Sequence, residues 1–192
     1  MKLFREEDRL KEDRGVLLIN DPAELSLWNA REELGIDAIA FDYPVRNALR
    51  DLTTIFADTI GFKNFKFNIG EHGRIDERLS DELPPFLEAD YNKIMHDMCA
   101  MLWQAGETQI RQVQLRTNTY HHDYWEAHGT AIILPLIGLS TLFRNEAGEE
   151  YALGNKLVIF DKEHRAPRRE DNIGSRAYFG AFFERSNLVE LV

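Results

Sequence analysis

Cysteine is almost missing from this 192-residue chain: Cys99 stands alone, so no internal disulfide can staple the fold. Long apolar runs are missing as well. The longest, from Ala131 to Leu139, is broken by Pro135 and Gly138 and falls far short of the roughly 20 residues that span a bilayer. Positive charge is in short supply: 23 Lys and Arg face 33 Asp and Glu, a formal net charge of −10. Such a surface repels a phosphate backbone and an anionic bilayer alike, so neither nucleic acid nor membrane is the expected partner. No Gly-rich phosphate loop, GxSxG elbow or paired CxxC occurs. The opening MKLFREEDRLKEDR is of mixed charge and lacks the apolar segment of a secretory signal, and a cytoplasmic location is the expectation.

What is present is core-forming material. Apolar residues make up 44% and aromatics 11% of the chain, enough for one domain with a sizeable interior. Asp21-Pro22 suits a helix start, with the helix running to Leu34. Val45, Leu49, Leu52, Ile55, Phe56 and Ile60 recur every three or four residues, which predicts an amphipathic helix closed by Gly61. Another helix fits 88–104, where Met95, Met98 and Met101 read as packing residues. VLLIN, AIAFDY and FKFNI read as strands. After Gly106 the character changes: a long extended run over 109–122 is followed by TAIILPLIG, STLF, YAL, KLVIF and RAYFGAFF, separated by turn residues. Short strands at this spacing predict a closed or sandwich-like β structure. The expected organisation is a single domain over 1–192, with a helix-rich layer over 1–106 and a β-barrel over 107–192.

The chemistry concentrates in the β half. TYHHDYW ends the long strand, and period-two alternation turns His121 and Asp123 one way and His122 the other. Counted back, they continue the face of Val113, Leu115 and Thr117, the less polar face and therefore the expected barrel interior. Arg116, Asn118 and Tyr120 fall on the opposite face and are expected to point outward unless a bulge re-aims one. A third ligand is available in His164, which follows the apolar strand KLVIFD. A lone His-x-Asp arises readily by chance. The order of strand, His-x-Asp, further strands, distal His and a strand beginning with Arg gives this one its weight. Two imidazoles and one carboxylate on one side of a metal form the facial triad of non-haem iron(II) oxygenases, with coordination positions left open. Lys162, Arg165, Arg168 and Arg169 around His164 are the one concentrated basic patch, either an anion lure or a solvated loop paired with its acidic neighbours.

The stretch HHDYWEAHGTAIILPLIG, STLF, GNKLVIFDKEHRAPRRE and SRAYFGAFF resembles the catalytic half of the iron(II)/2-oxoglutarate oxygenase superfamily, particularly its prolyl-hydroxylase-like and phytanoyl-CoA-hydroxylase-like branches. The likeness covers about residues 110–183. It implies an α+β protein built on a double-stranded β-helix, a jelly-roll or cupin-like barrel with supporting N-terminal helices. It also implies iron(II) held by His121, Asp123 and His164, and 2-oxoglutarate as cosubstrate with its distal carboxylate on Arg176. Asn118 and Tyr120 are further cosubstrate candidates. Arg176 lies twelve positions after His164, a slightly longer spacing than the family's, and its structural alternative is an ordinary ion pair. The carboxylate of Asp123 favours hydroxylation of a C–H bond, because halogenating relatives put a small residue there. The substrate would be a small molecule or a peptide. Two other readings stay open: a cupin-like metalloprotein using His121, His122 and Glu126 without 2-oxoglutarate, and a non-catalytic binding domain on the same barrel.

Overall fold

The computed structural model describes residues 15–68, 83–106, 112–120, 130–144, 150–161, 164–165 and 174–182. The described residues form ten strands and a few helices. Strand β1 (Val16–Leu18) leads to a 3-10 helix (Pro22–Ala30) and one α turn, α1 (Arg31–Leu34). The start is a capping box: the Ala23 N–H donates to Asp21 Oδ1 at 2.9 Å, and the Asp21 N–H donates back to Glu24 Oε2 at 3.4 Å. Strand β2 (Ala38–Phe41), helix α2 (Asn47–Ile60), strand β3 (Lys63–Asn68) and helix α3 (Pro85–Gln104) follow. Then come β4 (Gln112–Thr117), β5 (Ala131–Ile137), β6 (Leu142–Arg144), β7 (Glu150–Ala152), β8 (Leu157–Phe160), β9 (His164–Arg165) and β10 (Ala177–Phe182).

Seven strands pair in the order β1-β2-β8-β5-β10-β4-β3, all antiparallel except β1 with β2. A smaller sheet pairs β7-β6-β9. Strands from the first half of the chain therefore complete the large sheet on both flanks, β1 and β2 beyond β8 and β3 beyond β4.

Each face of the large sheet buries a different layer. The outer face carries Val113, Leu115, Ile132, Leu134, Ile159 and Phe179, packed against α2, α3 and the 3-10 helix. Helix α2 turns Leu49, Thr53, Phe56 and Ala57 inward, and α3 turns Leu87, Tyr91, Ile94, Met95 and Met98 inward, the three-and-four spacing of an amphipathic helix. Thr53 and Tyr91 hydrogen-bond through their hydroxyls at 2.9 Å, joining the two helices, and Tyr91 meets Phe179 edge-on at 5.2 Å. The inner face carries Val16, Ala38, Ala131, Ile133, Val158, Phe160 and Tyr178, covered by Phe143 of β6 and by Leu153.

Strand β4 departs from the sequence reading in an informative way. It ends at Thr117 instead of running to 122, because Asn118 adopts a left-handed conformation at φ 48°. Its less polar face packs on the helices, not in the space between the sheets. Arg116 pairs directly opposite Tyr178, and directly opposed residues share a face, so Arg116 turns inward and not outward. The helices claim the apolar face because they offer far more apolar surface than the small sheet does.

Candidate functional site

The two sheets and the turns at one end of β4, β5 and β10 enclose a corner centred on Arg176. This side chain is 1% exposed. Its Nε donates to the Leu139 carbonyl at 2.9 Å, Nη1 to the Thr119 carbonyl at 3.1 Å and Nη2 to Thr141 Oγ1 at 3.2 Å. The guanidinium also lies 4.2 Å from the centre of the Tyr178 ring, within cation–π range. Every one of these partners is neutral, and no described carboxylate pairs with it. Burial lowers its pKa from the ordinary value and the nearby Arg116 charge acts in the same direction, while Tyr178 and Tyr120 oppose them; a guanidinium remains charged regardless.

Residues far apart in the chain hold this cation in place. Gly138, at φ 76°, lets the turn after β5 pass so close that a Cβ there would sit 2.7 Å from the Ser175 carbonyl oxygen. That approach delivers the Leu139 carbonyl and Thr141 to Arg176. The only sequence signal is the very short turn at GLST.

Asn118 is the clasp. Its N–H donates to the Arg176 carbonyl at 2.7 Å, and its Oδ1 accepts from the Arg176 N–H at 3.0 Å. Its Nδ2 donates to the Ala57 and Gly61 carbonyls at 2.9 and 3.2 Å, satisfying the end of α2. The side chain is thus spent on backbone partners, and it places Arg176 without reaching into the corner. Replacing Asn118 by Ala removes these side-chain bonds and leaves at positive φ a residue without the polar side chain that makes this conformation tolerable, a loss of about 2–4 kcal/mol. The Gly variant should recover about 1 kcal/mol of that. Urea unfolding checks both, and an Ala variant within about 0.5 kcal/mol of the parent would contradict the clasp.

Tyr120 stands at the same corner, its hydroxyl donating to the Gly174 carbonyl at 3.4 Å. The structure therefore brings Arg176, Asn118 and Tyr120 together. His121 and Asp123 lie outside the described residues, as do His122 and Glu126 of the cupin-like alternative, and Lys162, Arg168 and Arg169 of the basic patch. His164 is described in its backbone, which pairs with Phe143 across β9 and β6. The segments flanking these positions are anchored at the far end of the sheet. The buried Trp28 Nε1 donates to Thr130 Oγ1 at 2.9 Å, and Arg31, 4.9 Å from the Trp28 ring, pairs with Asp161 at 2.7 Å. Among the described residues, no three His, Cys, Asp or Glu gather as a metal would require. Cys99 offers no nucleophile, since burial pushes its thiol up to about 11. No helix among the described residues is long and apolar enough to cross a membrane.

A buried guanidinium with only neutral partners among the described residues asks for an anion, because an isolated charge is costly to hold away from water. Leu139, Thr119, Thr141 and the Tyr178 hydroxyl supply hydrogen bonds but no negative charge, and a planar guanidinium fork suits a carboxylate. The corner therefore suits a carboxylate. His121, Asp123 and His164 are of the donor types that suit a divalent iron.

The architecture is a double-stranded β-helix with helices on its outer face. No family model matches the chain, and no curated protein matches it in sequence. Solved structures do match. A full-length Neurospora crassa protein in complex with alpha-KG superposes with a TM-score of 0.58 at 10% identity, over 91% of this chain and 87% of that one. A putative oxygenase from Shewanella oneidensis gives 0.53 at 10% identity over 88% of both chains. A Pseudomonas putida prolyl-4-hydroxylase gives 0.50 at 12% identity, over 86% of this chain and all of that one. At such identities what is shared is the fold: this chain has the double-stranded β-helix of these oxygenase structures.

Proposed function

We propose that this protein is a non-haem iron(II)/2-oxoglutarate-dependent oxygenase that hydroxylates a C–H bond of its substrate. The observation that carries the reading is Arg176, a buried cation without a carboxylate partner among the described residues, in a fold shared with a structure bound to alpha-KG. In this reading the guanidinium binds the distal carboxylate of 2-oxoglutarate through Nη1 and Nη2. Asn118 and the turn at Gly138 fix its position, and the apolar inner face keeps water from the reacting end. His121, Asp123 and His164 would hold iron(II), which when bound supplies the oxidative chemistry with dioxygen.

The test is direct. With iron(II), ascorbate and 2-oxoglutarate under air, the protein should form succinate above the protein-free rate, and a chelator should abolish the excess. If calorimetry under anaerobic conditions shows no binding of 2-oxoglutarate to the iron-loaded protein, the proposal fails.

A further inference from the structure

The inner face of the large sheet changes character at β10. From β1 to β10 it is apolar, ending at Tyr178. Beyond β10 it is polar. Arg116 and Gln114 of β4 lie opposite Tyr178 and Gly180, and β3 carries the same face outward with Asn64 opposite Arg116 and Lys66 opposite Gln114. Gly180 contributes no side chain between Gln114 on one neighbour strand and Ile133 on the other, so the polar wall begins beside a position that has none.

The wall is ordered. Gln114 Nε2 donates to Gln112 Oε1 at 2.8 Å, and Arg116 Nε donates to Gln114 Oε1 at 2.7 Å. Gln114 is only 9% exposed, so an amide and a guanidinium are held in register where apolar side chains would pack the sheets more cheaply. Asn64 and Lys66 stand exposed at its outer end. On a chain of net charge −10, Lys66 and Arg116 continue the positive charge of Arg176 along one face, a field that draws anions to this side of the barrel.

We infer that the β4–β3 wall is the substrate-recognition surface and that it takes a substrate bearing a carboxylate. Arg116 and Lys66 supply the charge, and Gln114 supplies a hydrogen-bonding amide beside Gly180. Arg176 serves a different anion, the cosubstrate. The assignment of the wall to a substrate rests on the oxygenase reading, whereas its preference for a carboxylate rests on the wall itself.

The experiment titrates glutarate, and separately its uncharged diamide glutaramide, into iron-loaded protein saturated with 2-oxoglutarate under anaerobic conditions. Glutarate should bind at least tenfold more tightly than glutaramide. Arg116→Gln should weaken glutarate at least tenfold more than it weakens 2-oxoglutarate. Lys66→Glu, at an exposed position, should weaken glutarate several-fold on its own. Equal binding of the two probes overturns the inference, and so does glutarate binding that neither variant alters. Glutarate that binds only by displacing 2-oxoglutarate also overturns it, while leaving the cosubstrate site intact. If 2-oxoglutarate itself does not bind the parent protein, the oxygenase reading falls and the substrate assignment with it. Glutarate titrated alone then reports separately on whether the wall selects anions.

Discussion

Replacing Arg176 by Met should weaken 2-oxoglutarate binding at least a hundredfold, about 2.7 kcal/mol, measured by anaerobic calorimetry on iron-loaded protein. The size follows from burial: a desolvated guanidinium–carboxylate pair loses about 2–5 kcal/mol when one partner is truncated. Lys at this position keeps the charge and loses the planar fork that serves the Leu139 and Thr119 carbonyls and Thr141 together. It should fall between parent and Met. A thermal readout separates binding from folding. At about a hundred times its Kd, a ligand adds about 2.7 kcal/mol, or about 5–10 °C in a chain of this length. The parent should show that rise on adding 2-oxoglutarate and the Met variant should not, whatever their melting points without it. A Met variant that binds 2-oxoglutarate as the parent does would remove Arg176 from the site.

Replacing Phe143 by Ala should cost about 3–5 kcal/mol of stability, read from urea unfolding. Among the described residues Phe143 links the two sheets through apolar contact: it meets Phe160 edge-on at 4.8 Å and is 2% exposed. Truncation empties the centre of the inner layer, and the flanking Val158 and Ile133 belong to a strand-paired surface that cannot collapse to refill it. Leu at 143 keeps most of the volume and should cost less than half as much. Because His164 pairs with Phe143 across β6 and β9, the Ala variant should also bind iron(II) more weakly, with a larger loss than Leu. An Ala variant within about 1 kcal/mol of the parent would mean that the small sheet is held from elsewhere.

Much of the fold could be read from residue spacing. Leu49 and Phe56 announce α2, although Leu52 and Ile55 of the same spacing lie exposed, Asp21-Pro22 announces the first helix, and the apolar run at 131–137 announces a strand. The identity of the inner face could not. Alternation tells which residues of β4 share a side, but only the partners decide which side is the barrel, and the helices won the apolar one. The count from Val113 to His121 likewise fails at Asn118, where a single left-handed residue ends the strand. Of the candidate site, Arg176 was visible as the opening residue of its strand. The groups that hold it come from residues 118–119, 139 and 141, and such convergence belongs to topology and not to local pattern. The part of the donor set at 121 and 123 lies outside the described residues.

The flanking of the large sheet by early strands bears on how the gene can be cut. β2 covers the hydrogen-bonding edge of β8, and β3 covers that of β4. A fragment starting near residue 107, although it would carry the whole His-x-Asp to Arg stretch, would leave both of those edges bare and seek other chains to pair with. Expression trials and swaps with other barrels should therefore keep residues 15–68 in the same polypeptide as the motif.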